Sequence, residues 1–193
     1  MSTKKLLGNE VTEMVSYKEE NEENQNVIES LIRGLYHLFG IETLNDKQFH
    51  QALKVGRQDF RRTRLINLNL ARENLDGINL SGVNLNKVNL SEASLIKAQL
   101  HRTKMVGANL DSANLKGANL SRANLKDVQA SWADLRNTNL SNTVLRNANL
   151  TGADLDKSQS ILEAKTMFAR FDHARLPYGV VFVKYFRFFL KKL

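Results

Sequence analysis

Residues 106–127 read VGANLDSANLKGANLSRANLKD, and leucine returns in this stretch at every fifth position. The same spacing continues on both sides: leucine occupies positions 75, 80, 85, 90, 95 and 100, and later positions 135, 140, 145, 150 and 155. Neither an α-helix, with about 3.6 residues per turn, nor a flat strand, with a period of about two, repeats every five residues. A short fixed period instead indicates a solenoid, in which each unit stacks on its neighbours.

The residues around each leucine repeat as well. The residue two positions before it is small or β-branched, most often alanine, and the residue between them is usually Asn or Asp. Ala-Asn-Leu or Ala-Asp-Leu stands at residues 108–110, 113–115, 118–120, 123–125, 133–135, 148–150 and 153–155. This motif resembles the pentapeptide-repeat family, whose consensus is close to A-[DN]-L-x-x. The resemblance implies an all-β solenoid, a right-handed quadrilateral β-helix with four pentapeptides in each square coil, and it implies no single activity.

Stacked coils explain the choice of residues. Coils stack at the β-strand spacing of about 4.8 Å, so side chains 20 residues apart lie above one another and the inward leucines form a dry core. Asparagine precedes the central residue at positions 69, 74, 79, 84, 89, 109, 114, 119, 124, 139 and 149. Because Asn tolerates turn conformations and its amide can bond to backbone in tight corners, we interpret these residues as structural.

The repeat frame slips by one residue near the C-terminal end. Central positions from Phe60 to Leu155 give 20 units, and the pattern resumes with Ile161, Thr166, Phe171 and Leu176 as centres. We interpret the extra residue, between Asp156 and Ser160, as a bulge or loop at a corner. Together these units predict about six coils.

The chain divides into four predicted parts. Residues 1–24 form a flexible tail, 25–56 an α-helical N-terminal cap, 57–176 the β-helix, and 177–193 a short aromatic and basic C-terminal helix. The cap contains an amphipathic helix at 26–40 and a second helix at 46–55 between Asn45 and Gly56. Since solenoid ends expose unpaired edges and core, we interpret both helices as a cover, with recognition by helix 26–40 as the alternative.

The C-terminal segment, PYGVVFVKYFRFFLKKL at residues 177–193, carries too much aromatic surface to stay in water. As a helix it would place Lys184, Arg187 and Lys191 on one narrow stripe. Three roles remain open: a cover for the last coil, an interface in a homodimer or with another protein, or a helix on an anionic membrane surface. The residues concerned are Val181, Phe182, Lys184, Tyr185, Phe186, Arg187, Phe188, Phe189 and Lys191.

The charge of the repeats is unevenly distributed. Residues 57–176 carry 18 basic and 11 acidic side chains. The face built around centres 65, 85, 105, 125, 145 and 166 holds a set of outward cations that we call the basic stripe: Arg64, Lys87, Lys104, Lys126, Arg146 and Lys165, against only Asp127. Such a stripe is a candidate docking surface for an acidic partner, and ordinary solubilising charge is the plainer interpretation.

Two further surface features accompany the basic stripe. The adjacent face, around centres 60, 80, 100, 120 and 140, adds Arg61, Arg62, Arg102, Arg122 and His101 against Asp59. Trp132, the single tryptophan, lies on another face beside Ala130, where the central leucine is missing. It is interpreted either as a side chain folded over that gap or as an aromatic anchor for a partner.

No catalytic, cofactor-binding or metal-binding site is predicted. The chain has no cysteine, its four histidines lack paired metal spacing, and no nucleophile elbow, P-loop or dinucleotide fingerprint occurs. A filled core also leaves no obvious concave pocket for chemistry. The N-terminus has no long apolar segment and no apolar run reaches the length of a membrane span, so we expect a cytoplasmic protein, with peripheral membrane attachment as the alternative.

Three classes of function follow. The first is a non-enzymatic scaffold or adaptor that docks another protein on the faces of the rod. The second is a membrane-peripheral protein held by the C-terminal segment. The third comes from the family resemblance: some pentapeptide-repeat proteins mimic DNA for type II topoisomerases, but mimicry needs an acidic rod and this rod is basic. Nucleic-acid binding is disfavoured because the basic stripe lacks interleaved aromatic residues.

Overall fold

The computed structural model describes residues 38–178. By their contacts the residues form two compact units, Met1–Thr43 and Leu44–Leu193. In the first unit Leu38 is helical, Gly40 has a φ of 64°, and strand β1 (Glu42–Asn45) begins. The predicted tail 1–24, most of the predicted helix 26–40, and residues 179–193 of the C-terminal segment lie outside the described residues. Because the division between the two units falls between Thr43 and Leu44, the second predicted helix belongs to the same unit as the repeats.

Helix α1 (Asp46–Lys54) matches the second predicted helix closely. Its N-cap residue Asn45 accepts a hydrogen bond from the backbone N–H of Gln48, whose side chain in turn accepts from the backbone N–H of Asn45. This reciprocal capping box satisfies two donors that the first turn of a helix leaves without partners. The apolar side of α1 buries Phe49, whereas Val55, which follows the helix, is 74% exposed.

Parallel bridges between residues 20 apart build the solenoid. Asp59 pairs with Asn79, Asn79 with Gln99, and the same column continues through Asn119, Asn139 and Gln159. Twenty residues are four pentapeptides, so four pentapeptides make one coil. The only regular strand within the repeats of the described chain is β2 (Thr63–Ile66), because elsewhere each side of the coil is too short for more than one bridge.

The core is made of stacked inward side chains. The central residues from Leu70 to Leu155, with Met105 and Ala130 among them, are buried, and so are the alanines two positions before many of them. Buried threonines replace alanine at some inward positions, where their hydroxyls need partners. The hydroxyl of Thr103 donates to the carbonyl of Leu80 and that of Thr143 to the carbonyl of Leu120, at 3.1 and 2.9 Å. Polar residues therefore enter this core without leaving those hydroxyls unpaired.

The corners of the coil lie after the central residue. The left-handed conformation occurs two positions after it, for example at Lys97, Arg122 and Asn147, all with φ near 57–59°. The asparagine before the central residue does not adopt this conformation. Its predicted bond to the backbone is confirmed: at all eleven positions its Oδ1 accepts from the N–H two residues on.

At three positions where this asparagine is missing, the preceding coil supplies a substitute acceptor. Ser94, Lys104 and Gln129 occupy the asparagine position but make no such bond. The freed N–H groups of Ile96, Val106 and Ser131 donate to side-chain oxygens of the residues 20 positions earlier, which are Asp76, Asn86 and Asp111. The three distances are 2.9, 2.8 and 2.8 Å, so each donor keeps a normal hydrogen bond. A pentapeptide can thus depart from the consensus when the preceding coil compensates.

The predicted slip of the frame is present, but it lies slightly further along the chain. Gln159 still bridges to a residue 20 positions earlier, whereas Lys165 bridges to Val144, 21 positions earlier. The extra residue therefore lies between Gln159 and Lys165, where Ser160 has a φ of 58° and a short 3-10 turn, η1 (Ile161–Glu163), follows. The corner accommodates one additional residue there, because Ile161 still points inward and is only 7% exposed, so the core remains closed.

Candidate functional site

The basic stripe lies on one face of the coil, in three neighbouring columns. Lys104 and Lys165 occupy the column that precedes the central residues, since they bridge to Asn84 and Val144. By the repeat frame Arg64 shares that column, Lys126 and Arg146 follow their central residues directly, and Lys87 lies at a corner. All are exposed except Arg64, which is half-buried. The stripe is therefore a band of cations and not a single ladder.

Lys126 of the stripe forms an ion pair, whereas four other cations of the stripe form none within the described residues. The Nζ of Lys126 lies 3.5 Å from Oδ2 of Asp127. The amide of Asn147 donates to the same carboxylate at 2.8 Å and, with a smaller effect from Lys126, holds the pKa of Asp127 below its usual value. Within residues 38–178 no ion pair involves Lys87, Lys104, Arg146 or Lys165. These four charges are available to a partner.

The adjacent face is also basic. Arg61 and Asp59 form an exposed pair at 2.7 Å, and hydrogen bonds from Arg61 lower the pKa of Asp59 to about 2. Arg102 and Arg122 lie one coil apart in a corner column, with φ of 57° and 59°, and carry no ion pair in the described part of the chain. His101 contacts the hydroxyl of Ser121 in the next coil at 2.8 Å. Cations thus extend over two neighbouring faces.

The charges of a third face neutralise each other. Arg136 donates to Asp134 at 2.9 Å and lies 3.8 Å from the carboxylate of Asp154. Asp154 is also 3.6 Å from Arg175, which in turn lies 3.4 Å from Asp156. Arg136 and, from the last coil, Arg175 therefore engage the three carboxylates of Asp134, Asp154 and Asp156. This face offers little net charge to a partner.

The Arg136–Asp134 pair gives a pH prediction. Its hydrogen bond lowers the folded-state pKa of Asp134 below the usual 3.8. A lowered carboxyl pKa stabilises the fold above the unfolded-state pKa, and this stability is lost as pH falls through the folded-state pKa. We expect Asp134→Asn to have a lower urea midpoint than the parent at pH 7, with the difference shrinking below about pH 4. Asn still accepts from the backbone at this position, so the variant isolates the charge.

The matched control for this titration is Glu163→Gln. Glu163 is exposed and makes no ion pair with any residue from 38 to 178, so its variant should follow the parent at every pH. A constant difference between Asp134→Asn and the parent from pH 7 to pH 2 would contradict the pairing.

Trp132 lies apart from the basic stripe. It sits in a corner column with Arg72 and Glu92, at a φ of 60°, and is 66% exposed. Its ring rests on Gly152 of the next coil, where a Cβ would fall 2.6 Å from Cδ2 of the indole. The ring therefore covers a glycine and not a gap at Ala130, which is 2% exposed. The structure does not bring Trp132 together with the predicted cations.

The contact between Trp132 and Gly152 predicts a spectroscopic change. Gly152→Ala places a Cβ where the indole lies and a side chain at a φ of 69°. We expect the emission of the single tryptophan to shift to longer wavelength as the ring is displaced, with a stability loss of about 1–2 kcal/mol from the left-handed backbone. Gly82→Ala is the control, because Gly82 has a φ of 74° and nothing within 4 Å of the added Cβ. It should lose similar stability without changing the emission, and equal spectra for both variants would refute the contact.

The last coil exposes large apolar side chains that the sequence interpretation missed. Leu162 in η1 is 64% exposed, Met167 is 49% exposed and Phe168 is 78% exposed. Phe168 has a φ of 60°, as other corner residues have. The departure of residues 167–168 from the polar pattern of outward positions was the signal that could have identified them. We call these three residues the apolar patch.

The described residues offer little for chemistry. They contain no group of His, Cys, Asp or Glu side chains able to hold a metal ion, and none of their helices could cross a membrane. A cleft of about 280 Å³ lies between the end of α1 and the first coil, with Arg57 and Asp76 as its charged side chains. The carboxylate of Asp76 already accepts from the N–H of Ile96, and Arg57 lies over the ring of Phe60 at 4.7 Å. Both charged groups are therefore engaged in structural contacts.

The repeat geometry defines a four-sided β-solenoid, and comparison with known families agrees. The model for pentapeptide repeats matches the chain in eight copies, over residues 59–95, 74–111, 93–128, 104–142 and 123–159. These matches span more than half of the chain, and the protein belongs to the pentapeptide-repeat family. No curated protein matches the sequence.

Solved structures of the same kind are similar to this chain. A pentapeptide repeat protein from the Arabidopsis thaliana thylakoid lumen is 27% identical, with 67% of this chain and 77% of that one covered and a TM-score of 0.28. Rfr23 from the cyanobacterium Cyanothece 51142 is 27% identical, covering 62% and 67%, with a TM-score of 0.38. QnrB1, a plasmid-mediated fluoroquinolone resistance protein, is 13% identical, covering 67% and 80%, with a TM-score of 0.36. Such pentapeptide-repeat proteins form right-handed quadrilateral β-helices, and these likenesses carry no further conclusion about the present chain.

Proposed function

We propose that this protein is a non-enzymatic scaffold or adaptor that docks an acidic protein partner on its basic stripe. The stripe belongs to a rod of about six coils, and α1 serves as the helical cap of the N-terminal end. Charged groups fixed on a rigid surface favour association with a partner of opposite charge and set its register. The proposal includes a cytoplasmic location and requires neither cofactor nor metal.

The observation that carries the proposal is the uneven pairing of charges. Acidic residues on the third face are engaged by Arg136 and Arg175, whereas Lys104, Arg146 and Lys165 make no ion pair among the described residues. On the stripe face six cations stand against one carboxylate, Asp127, whereas on the third face acids and bases are nearly balanced. This local excess of positive charge favours binding of an acidic partner.

Charge reversal on the stripe tests the proposal. The stripe variant carries Lys104→Glu, Arg146→Glu and Lys165→Glu, and the control variant carries Lys97→Glu, Lys116→Glu and Lys157→Glu on the third face. Both change the net charge equally at exposed positions. We expect cross-linking and affinity capture from the native host to recover a partner with the parent and the control variant but not with the stripe variant. Unchanged recovery with the stripe variant, folded as judged by circular dichroism, would remove the stripe from consideration.

The other functional classes have less support. A DNA mimic needs an acidic rod, and residues 57–176 carry 18 basic against 11 acidic side chains. Membrane attachment or a homodimer would rest on the C-terminal segment, most of which lies outside the described residues. Sedimentation with anionic vesicles and light scattering address these two alternatives directly.

A further inference from the structure

We propose that the basic stripe and the apolar patch form one docking surface for an acidic polypeptide segment that carries bulky apolar side chains. This inference rests on the proposed function, because it names the chemistry of the partner that the stripe would hold. Neither the basic stripe nor the apolar patch alone specifies that partner. We combine them because Met167 and Phe168 lie on the face that carries the stripe.

The apolar patch continues the face that carries the stripe. The N–H of Asn147 donates to the carbonyl of Met167 at 3.0 Å, which places residues 167–168 directly after residues 146–147 in the stack. Met167 therefore follows Arg146 in its column, and Lys165 lies in the same coil as Met167 and Phe168. Leu162 belongs to the inserted turn η1 of that coil. Met167 and Phe168, which are 49% and 78% exposed, thus lie at the end of the row of cations, and Leu162 is exposed on the adjacent side of the same coil.

Such a layout suits a segment that lies along the rod. Lys104 and Lys165 are three coils apart, or roughly 14 Å at the spacing of stacked strands. Acidic side chains would meet Lys104, Arg146 and Lys165 in turn, while an apolar side chain would cover Phe168. Large apolar anchors usually supply much of the binding energy of an interface, and surrounding charges set orientation and the rate of encounter.

Other occupants fit the surface less well. Binders of single-stranded nucleic acid interleave aromatic residues with cations, whereas Phe168 lies beyond the cations of the stripe. A flat membrane would favour cations spread over a plane, whereas here a band of cations includes Asp127 and Asn147 in its middle. The C-terminal residues 177–193 carry four basic and no acidic side chains, so they would repel the stripe. Charge complementarity therefore selects an acidic polypeptide.

The test uses the full chain and four fluorescent probes. They are a peptide of Asp, Glu, Leu and Phe, a control peptide of equal length and charge in which Ser replaces Leu and Phe, a single-stranded oligodeoxynucleotide of equal charge, and vesicles of phosphatidylserine and phosphatidylcholine. The proteins are the parent, the stripe variant, the control variant and a patch variant with Met167→Ser and Phe168→Ser. Both patch positions are exposed, so the fold is expected to tolerate these changes.

The acidic–apolar peptide should bind the parent more tightly than the control peptide with Ser in place of Leu and Phe does. Its Kd should rise at least about tenfold in both the stripe and patch variants, and change less than about threefold in the control variant. If the patch variant binds the acidic–apolar peptide as tightly as the parent does, this inference is wrong. The proposed function would still hold in that case if the native partner is recovered with the parent and lost with the stripe variant. Tighter, stripe-dependent binding of the oligodeoxynucleotide or the vesicles would overturn the choice of an acidic polypeptide, as would no binding of any peptide.

Discussion

Replacement of Leu115 by Lys is expected to unfold the repeats. The side chain of Leu115 is fully buried and lies in a column of stacked inward residues between Leu95 and Leu135. The change removes apolar burial and brings an ammonium group into a site without a partner, for a combined cost above about 5 kcal/mol. That cost is comparable with the whole stability of a typical domain. Loss of the β-helix spectrum in circular dichroism and of the urea transition would record the result.

The control for this change is Leu115→Met, which keeps the volume and the apolar character of the side chain. Its cost should stay below about 1.5 kcal/mol, because a thioether chain adapts to the same space. A folded, cooperative Leu115→Lys protein with the parent's urea midpoint would mean that position 115 does not point into the core. Because each coil contacts only its neighbours, partial unfolding that spares distant coils remains consistent with the solenoid.

The period of the sequence determined the fold because it fixes which residues stack. A repeat of five with leucine at its centre, together with the four pentapeptides per coil that the family resemblance implies, places position 115 under 95 and above 135, and the bridges between Asn114 and Ser94 or Asp134 follow the same register. Inward and outward positions could therefore be assigned without coordinates. The outward placement of the basic stripe came from the same register.

Details that depend on the path of the backbone within one unit could not be obtained this way. The period does not state which of the five residues turns the corner, and Asn was assigned only a structural role and a side-chain bond to the backbone. The corner residues include Lys97, Arg122 and Phe168 as well as glycines, so no single residue type marks them. The stacked hydrogen bonds of the neighbouring coils hold these residues in a conformation that they would rarely adopt alone.

Pairing among surface charges also escaped the sequence. Arg175 reaches Asp154 and Asp156 only because the inserted residue changes the stacking interval from 20 to 21 in the last coil. The predicted centres at 155 and 176 already stack Arg175 on Asp154, but the repeat frame does not state which acids a long side chain reaches. The apolar patch was missed because the repeat frame assigns Met167 and Phe168 to outward positions but does not state how much of each side chain neighbouring residues cover.

Replacement of Phe49 by Ala should destabilise the N-terminal end of the solenoid. Phe49 of α1 is fully buried, and its ring lies 4.6 Å from the ring of Phe60 in the first coil. Removing such a side chain usually costs about 3–5 kcal/mol, since a cavity replaces the lost contacts. Val55→Ala is the control, because Val55 is 74% exposed and its change should cost less than about 0.5 kcal/mol. Urea unfolding of both variants measures the difference.

Aggregation of Phe49→Ala is expected to accompany its loss of stability. Helix α1 supplies contacts that no earlier coil can make: Asp46 accepts from the N–H of Asn69 at 3.2 Å, and His50 lies 3.2 Å from the carboxylate of Glu73. When α1 detaches, the first coil exposes unpaired backbone groups, which can pair with another chain. Light scattering should then report oligomers that grow with concentration. If Phe49→Ala were as stable and monomeric as Val55→Ala, α1 would be an appendage and not the cover of this end.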